Sequence, residues 1–184
     1  MSIPDQPSPL KRFMGDDNED LVTYYANYAF TLHLAQLLER NLQLVANEAE
    51  RQGLLTIDKT ALGVRDDADL PPKHVIRLLE RQGYIDHDVS RLLRRAISYR
   101  NELAHAFFLD NFTDALNAAG RASLNDRLRG IYRIISIAYN GVAAARDSLY
   151  AHYGFDDLWR AKIKELREQI TDIDIPFLDE ADDS

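Results

Sequence analysis

Val89-Ser90-Arg91-Leu92-Leu93-Arg94-Arg95-Ala96-Ile97-Ser98-Tyr99-Arg100-Asn101-Glu102-Leu103-Ala104-His105-Ala106-Phe107-Phe108 is the stretch from which the rest of the chain is read. On an ideal helix at about 100° per residue, Val89, Leu92, Leu93, Ala96, Ile97, Leu103, Ala104, Phe107 and Phe108 share one arc of roughly half the circumference. Arg91, Arg94, Ser98, Asn101 and His105 share the other side, with Asn101 and His105 at i and i+4 and therefore adjacent. Arg100 does not join them. It lands in the middle of the apolar arc, among Leu93, Ala96, Leu103 and Phe107. A guanidinium on a core-facing stripe is expensive unless something pairs with it. Two readings stay open here: a structural arginine that snorkels or meets an acidic partner elsewhere, and one held over a cleft for an anionic ligand.

Outward from this helix, the pattern remains helical in both directions. Asp17 or Asn18 caps a helix running to about Arg51, with Leu21, Tyr24, Tyr28, Leu32, Ala35, Leu38, Leu42, Val45 and Ala49 at helical spacing. Gly53 closes it and Leu54 supplies the apolar contact of a Schellman ending. The tetrapeptide Glu-Arg-Gln-Gly occurs at 50–53 and again at 80–83, which reads as shared helix-ending chemistry and not as an internal repeat. Residues 54–70 form a connection with one turn of helix near Lys59–Leu62. Pro71 and Pro72 open a helix to Gln82, and Asp86 or Asp88 caps the central helix, expected to reach about Leu109. Asp110-Asn111-Phe112-Thr113 breaks the chain, and a short helix over 113–119 is expected to end at Gly120.

The next long helix is expected from Ser123 to Tyr153, with Leu124, Leu128, Ile131, Ile135, Ala138, Val142, Ala145 and Leu149 on one face and Gly154 as its stop. Gly130 and Gly141 inside it cost about 1 kcal/mol each against Ala and point to close helix packing. A last helix, Asp156 to about Thr171, carries Trp159, Ile163, Leu166 and Ile170. The expected organisation is a flexible arm over 1–17, one all-α domain over 18–171 and an acidic tail over 172–184. The fold class is an antiparallel helical bundle.

Composition agrees with one helical domain: 184 residues, 46% hydrophobic, with only 8 Gly and 6 Pro. Without cysteine there is no disulfide framework, thiolate metal site or Cys nucleophile, and a reducing cytoplasm suits such a chain. Residues 1–17 hold no apolar run of signal-peptide length, and no window approaches the roughly 18 apolar residues of a membrane span. A net charge of −8 is wrong for a protein that coats nucleic acid by bulk electrostatics, so any nucleic-acid site must be local.

The run Glu80-Arg81-Gln82-Gly83-Tyr84-Ile85-Asp86, then Val89 to Leu93, then Arg100-Asn101-Glu102-Leu103-Ala104-His105, resembles the HEPN superfamily. It is most similar to the toxin-like branch of helical ribonucleases, whose signature is Arg, usually Asn or another polar residue, a short spacer, then His. Arg81–His87 and Arg146–His152 satisfy a looser spacing but lack an Asn after the Arg and border Gly83 and Gly154. The resemblance implies an endoribonuclease that needs no metal or cofactor. In it, a 2′-hydroxyl attacks its own 3′-phosphate and leaves 2′,3′-cyclic phosphate and 5′-hydroxyl ends. Arg100, Asn101 and His105 would be the catalytic residues. An imidazole titrates near neutrality and exchanges protons, while a guanidinium offers a fork of donors to a phosphorane.

One chain supplies one such histidine, whereas a homodimer with facing motif helices supplies an acid and a base. The width of the apolar arc suits such a dimer, part of it facing the chain's own core and part a second copy. The resemblance further implies RNA as substrate and a toxin or phage-defence setting, with an antitoxin as partner. Where a nucleotidyltransferase antitoxin modifies a Tyr two residues after the His, this chain has Phe107, which excludes modification there. Arg91, Arg94 and Arg95 are the candidate RNA-binding residues beside Arg100, against the reading of an ordinary solvated face.

Other features point elsewhere. Tyr24, Tyr25 and Tyr28 suit base stacking but, at helical spacing, read first as core or interface. His33, His74, His87 and His152 share no ligand spacing, and no metal is assigned. Residues 78–85 also suit a winged-helix DNA-binding regulator, with Thr56 to Gly63 as its first helix. The net charge and the missing strand pair stand against it. The third reading is a HEPN-fold dimeric adaptor or nucleotide-binding module that keeps the motif without turnover.

Overall fold

The repeated Glu-Arg-Gln-Gly ends two helices by the same hydrogen bonds. The computed structural model describes residues 19–58, 70–150 and 155–171, which form seven helices. These are α1 (Glu19–Arg51), α2 (Pro72–Arg81), α3 (His87–His105), α4 (Phe107–Asp110), α5 (Phe112–Ala115), α6 (Ala118–Tyr150) and α7 (Phe155–Thr171). After α1, Gly53 sits at φ +70°, and the amides of Gly53 and Leu54 reach the carbonyls of Glu50 and Ala49, both at 2.9 Å. After α2, Gly83 sits at φ +75°, and the amides of Gly83 and Tyr84 reach Glu80 at 3.0 Å and Leu79 at 2.9 Å. Both are complete Schellman endings, which need glycine for the left-handed residue. The Tyr84 hydroxyl donates to the Leu54 carbonyl at 2.9 Å, so one ending is tied to the other.

Helix α3 ends and helix α6 begins earlier than their spacing predicts. Asp86 is the α3 cap, its carboxylate accepting from the Val89 amide at 2.9 Å, a contact of about 1 kcal/mol. The helix stops at His105, four residues short of the expected Leu109, because Ala106 turns to φ −120° and ψ −36°. Gly120 ends no helix. It lies in the first turn of α6, where Asn117 caps by accepting the Gly120 amide at 2.8 Å, so α6 begins at Ala118 and not at Ser123. A Cβ on Gly120 would stand 2.1 Å from the Asp114 carbonyl oxygen, so glycine is there for room. Gly141 is likewise pressed, with Leu166 2.4 Å from where its Cβ would be, whereas Gly130 is exposed and meets nothing.

Each long helix buries the stripe that its spacing announces. Tyr24, Ala35, Leu38, Leu42, Val45 and Ala49 of α1 meet Leu124, Leu128, Ile131, Ile135, Ala138 and Val142 of α6 in one core, where each large side chain contributes roughly 1.5–3 kcal/mol. Asp20 pairs with Arg121, Asn27 with Asn125, Phe30 with Tyr132 and Asn41 with Arg146, so α1 and α6 run side by side in the same direction. Against α1, Tyr25 meets Phe108, Tyr28 meets Leu103 and Glu39 meets Arg100, so α3 runs antiparallel to that pair. The all-α bundle therefore has α3 laid antiparallel against two parallel helices that pack directly on each other. Helix α7 folds back on α6 through Leu166 against Gly141, and Arg167 reaches Asp86 at the head of α3.

The expected 1–17 arm, the turn near Lys59–Leu62, the Gly154 stop, the side chains of Leu149, Trp159 and Ile170, and the 172–184 tail lie outside the described residues. No helix among the described residues is long and apolar enough to cross a membrane.

Candidate active site

Val89, Leu92, Leu93, Ala96, Ile97, Leu103 and Phe107 of the central arc are buried within the single chain. Phe108 is half-buried against Tyr25 and Tyr28, and Ala104 alone of the nine is exposed. The arc is thus covered by neighbouring helices of the same chain, and its width carries no argument for a second copy. Large apolar side chains are exposed elsewhere, at Leu109, Phe112 and Leu116 beyond α3 and at Val22, Tyr25 and Phe30 on α1.

Arg100 has the acidic partner that its position on the stripe demands. Its Nη2 lies 2.6 Å from Glu39 Oε2 on α1, and its Nη1 donates to Asn101 Oδ1 at 3.1 Å. The pair borders a groove of about 560 Å³ to which Gln36, Arg40, Gln43 and Asn47 also contribute. The Nε of Arg100 is buried without a partner.

His105 is exposed, the last residue of α3, and makes no hydrogen bond or ion pair among the described residues. Helical geometry sets it about 140° around the axis from Arg100 and about 7.5 Å along it. Asn101 connects the two, since its Oδ1 accepts from Arg100 while its position, one turn before His105, leaves the amide on the exposed face.

The three candidate RNA-binding arginines lie toward the other end of α3 and are engaged. Arg94 reaches Glu80 at 2.7 Å and Arg91 reaches Asp88 at 3.3 Å. Arg95 donates to the Tyr99 hydroxyl at 3.0 Å with its guanidinium 4.4 Å from that ring's centroid. Glu80 is a hub, also accepting from Ser90 Oγ at 2.7 Å and lying 3.4 Å from His87. Burial works to raise its carboxyl, but Ser90, His87 and Arg94 outweigh that and hold it below the usual range.

Spacing does not reveal Glu39, Tyr28 or Arg127, which meet α3 only through tertiary packing. Tyr28 donates its hydroxyl to the Leu103 carbonyl at 2.5 Å, and Arg127 reaches Glu102 at 2.7 Å. Both flank the turn that carries His105. Among the described residues no three His, Asp or Glu side chains converge in the manner of a cation cage.

A helical bundle whose central helix carries Arg-Asn and, one turn on, a histidine at its end has the features of the HEPN class. Residues 19–134, more than half of the chain, match the HepT-like family, described as ribonuclease HepT-like, and the chain belongs to that family of the HEPN superfamily. The match runs from α1 into α6 and includes every candidate site residue. No curated protein and no solved structure matches the chain.

Proposed function

We propose that this protein is a metal-independent endoribonuclease that works as a homodimer in the cytoplasm, a toxin or phage-defence effector restrained by an antitoxin partner. One observation carries the reading: His105 stands exposed at the end of α3, beside Asn101 and without a hydrogen-bond or ion-pair partner among the described residues, in a chain of a ribonuclease family. A free imidazole on the surface contributes nothing to the core and is available to a substrate.

In the proposed reaction, one imidazole takes the proton of a ribose 2′-hydroxyl, and that oxygen attacks the adjacent phosphorus. The bond from phosphorus to the 5′-oxygen breaks as the 2′,3′-cyclic phosphate closes. The leaving oxygen receives a proton from the imidazolium of a second copy's equivalent histidine. Asn101 donates to the phosphate or orients the imidazole. Arg100 stabilises the phosphorane by exchanging Glu39 for phosphate oxygens, the carboxylate meanwhile standing where such oxygens would bind. Arg91, Arg94 and Arg95 guide the RNA along α3, in exchange for their present contacts.

The Glu39–Arg100 pair favours a second reading, a HEPN-fold dimeric adaptor or nucleotide-binding module without turnover, in which Arg100 serves the fold alone. The experiment is incubation with single-stranded and structured RNA in excess EDTA, followed by analysis of the 3′ ends. Cyclic phosphates that disappear in His105→Ala support the enzyme. No cleavage of any RNA, or 3′-hydroxyl products, overturns it and leaves the adaptor.

A further inference from the structure

We propose that Tyr28 and Arg127 are positioning residues that hold the last turn of α3, Glu102 to His105, and so set the direction of the His105 imidazole. The inference rests on His105 as the acid–base group. Helix ends fray because their last carbonyls have no helical partners. Here the backbone ladder of α3 closes with the Ala106 amide on the Glu102 carbonyl at 2.9 Å. The turn at Ala106 takes the Phe107 amide away from the Leu103 carbonyl, which in a continuous helix it would bond.

A hydroxyl from 75 residues away fills that place, Tyr28 donating to the Leu103 carbonyl at 2.5 Å. Burial pushes the Tyr28 phenol up, so it stays a donor at any working pH. Its ring stacks on Phe107 at 5.7 Å between centroids and meets Phe108 edge-on at 4.5 Å. Arg127 of α6 also grips this turn, through Glu102 at 2.7 Å and Asn111 at 3.3 Å, with its guanidinium 5.4 Å from the Phe107 centroid. Asn111 in turn donates to the Phe107 carbonyl at 2.7 Å. His105 itself makes no hydrogen bond or ion pair among the described residues, so the backbone turn beneath it sets where its ring stands relative to Asn101.

Tyr28→Phe keeps both ring contacts and removes only the hydroxyl. The expected result is a fall of about tenfold or more in kcat with KM within about twofold, the size that a sub-ångström loss of alignment produces. NMR relaxation should show the amides of 103–107 and the His105 ring more mobile than in the wild type. A purely structural tyrosine would lower the unfolding midpoint and leave both readouts of the folded protein untouched. Wild-type kcat with an equally ordered His105 overturns the proposal. If the wild type cleaves no RNA, the ribonuclease reading fails, and the relaxation data alone decide whether Tyr28 orders His105. Should Tyr28→Phe not fold, Arg127→Met, which strips the grip on Glu102 and keeps the stem, meets the same criteria.

Discussion

Arg100 of α3 and Glu39 of α1 face each other at 2.6 Å, each side chain a little over a quarter exposed, at 28% and 27%. The pair answers the apolar surroundings of Arg100 and sets a test of its role. Arg100→Leu fits the neighbouring stripe but strands Glu39, and at this exposure the loss should be about 1–2 kcal/mol. The double variant Arg100→Leu with Glu39→Leu should recover most of that loss in urea unfolding. RNA cleavage should stay absent in both. A double variant that cleaves at the wild-type rate would show that Arg100 takes no part in the reaction.

His105→Ala should leave stability within about 0.5 kcal/mol of the wild type, because the imidazole is exposed and bonds to nothing among the described residues. Cleavage should vanish all the same. Thermal unfolding and product analysis on one preparation check both halves. A large drop in stability would expose a structural contact for His105.

Acid should weaken the protein at the head of α3. Glu80 is held below the usual carboxylate range by Ser90, His87 and Arg94 acting against burial. Asp86 is held there, also against burial, by the Val89 amide and Arg167. The folded state then binds fewer protons than the unfolded state, so this stability is present above the ordinary carboxylate range. It is lost as pH falls from about 5 through the lowered values. Urea midpoints between pH 7 and pH 3 should drop steeply for the wild type and less for Glu80→Gln. Parallel curves would remove Glu80 from the account.

Three glycines of α6 should respond differently to alanine. Gly130→Ala should raise stability by about 0.5–1 kcal/mol, since an exposed helical glycine gains from a methyl group and nothing stands in its way. Gly120→Ala should lower it, because the new Cβ meets the Asp114 carbonyl. Gly141→Ala should also lower it, through Leu166 of α7. Differential scanning calorimetry of the three gives the order directly, and a stabilised Gly120→Ala would contradict the close approach of α5 to α6.

The proposed homodimer would meet through exposed groups near the end of α3. Ala104 and His105 on α3, with Leu109 80% and Phe112 61% exposed just beyond, form the surface expected at the interface. Light scattering at micromolar concentration should give about twice the 21.1 kDa chain mass. Ala104→Glu should restore the single-chain mass by setting like charges opposite one another across a two-fold axis. A wild type that is already monomeric removes the two-histidine mechanism.

Sequence alone determined whatever depends on residues within about one turn of each other. Apolar spacing marked the buried faces of α1, α3 and α6, Asp86 or Asp88 marked the head of α3, and Glu-Arg-Gln-Gly marked two helix ends of shared chemistry. The Arg100-Asn101-His105 pattern pointed to the family that residues 19–134 match. Tertiary structure decided what each face meets. Periodicity says that a side of a helix is covered but not by which neighbour, so Arg100 could be seen to need a partner while Glu39 could not be named. Helix α3 ends at His105 and not at Leu109 in a turn whose freed carbonyl takes a hydroxyl from 75 residues away. Gly120 resembles a terminator until the backbone of α5 is seen lying against it. These contacts arise from the packing of distant segments, and short-range spacing carries no record of that packing.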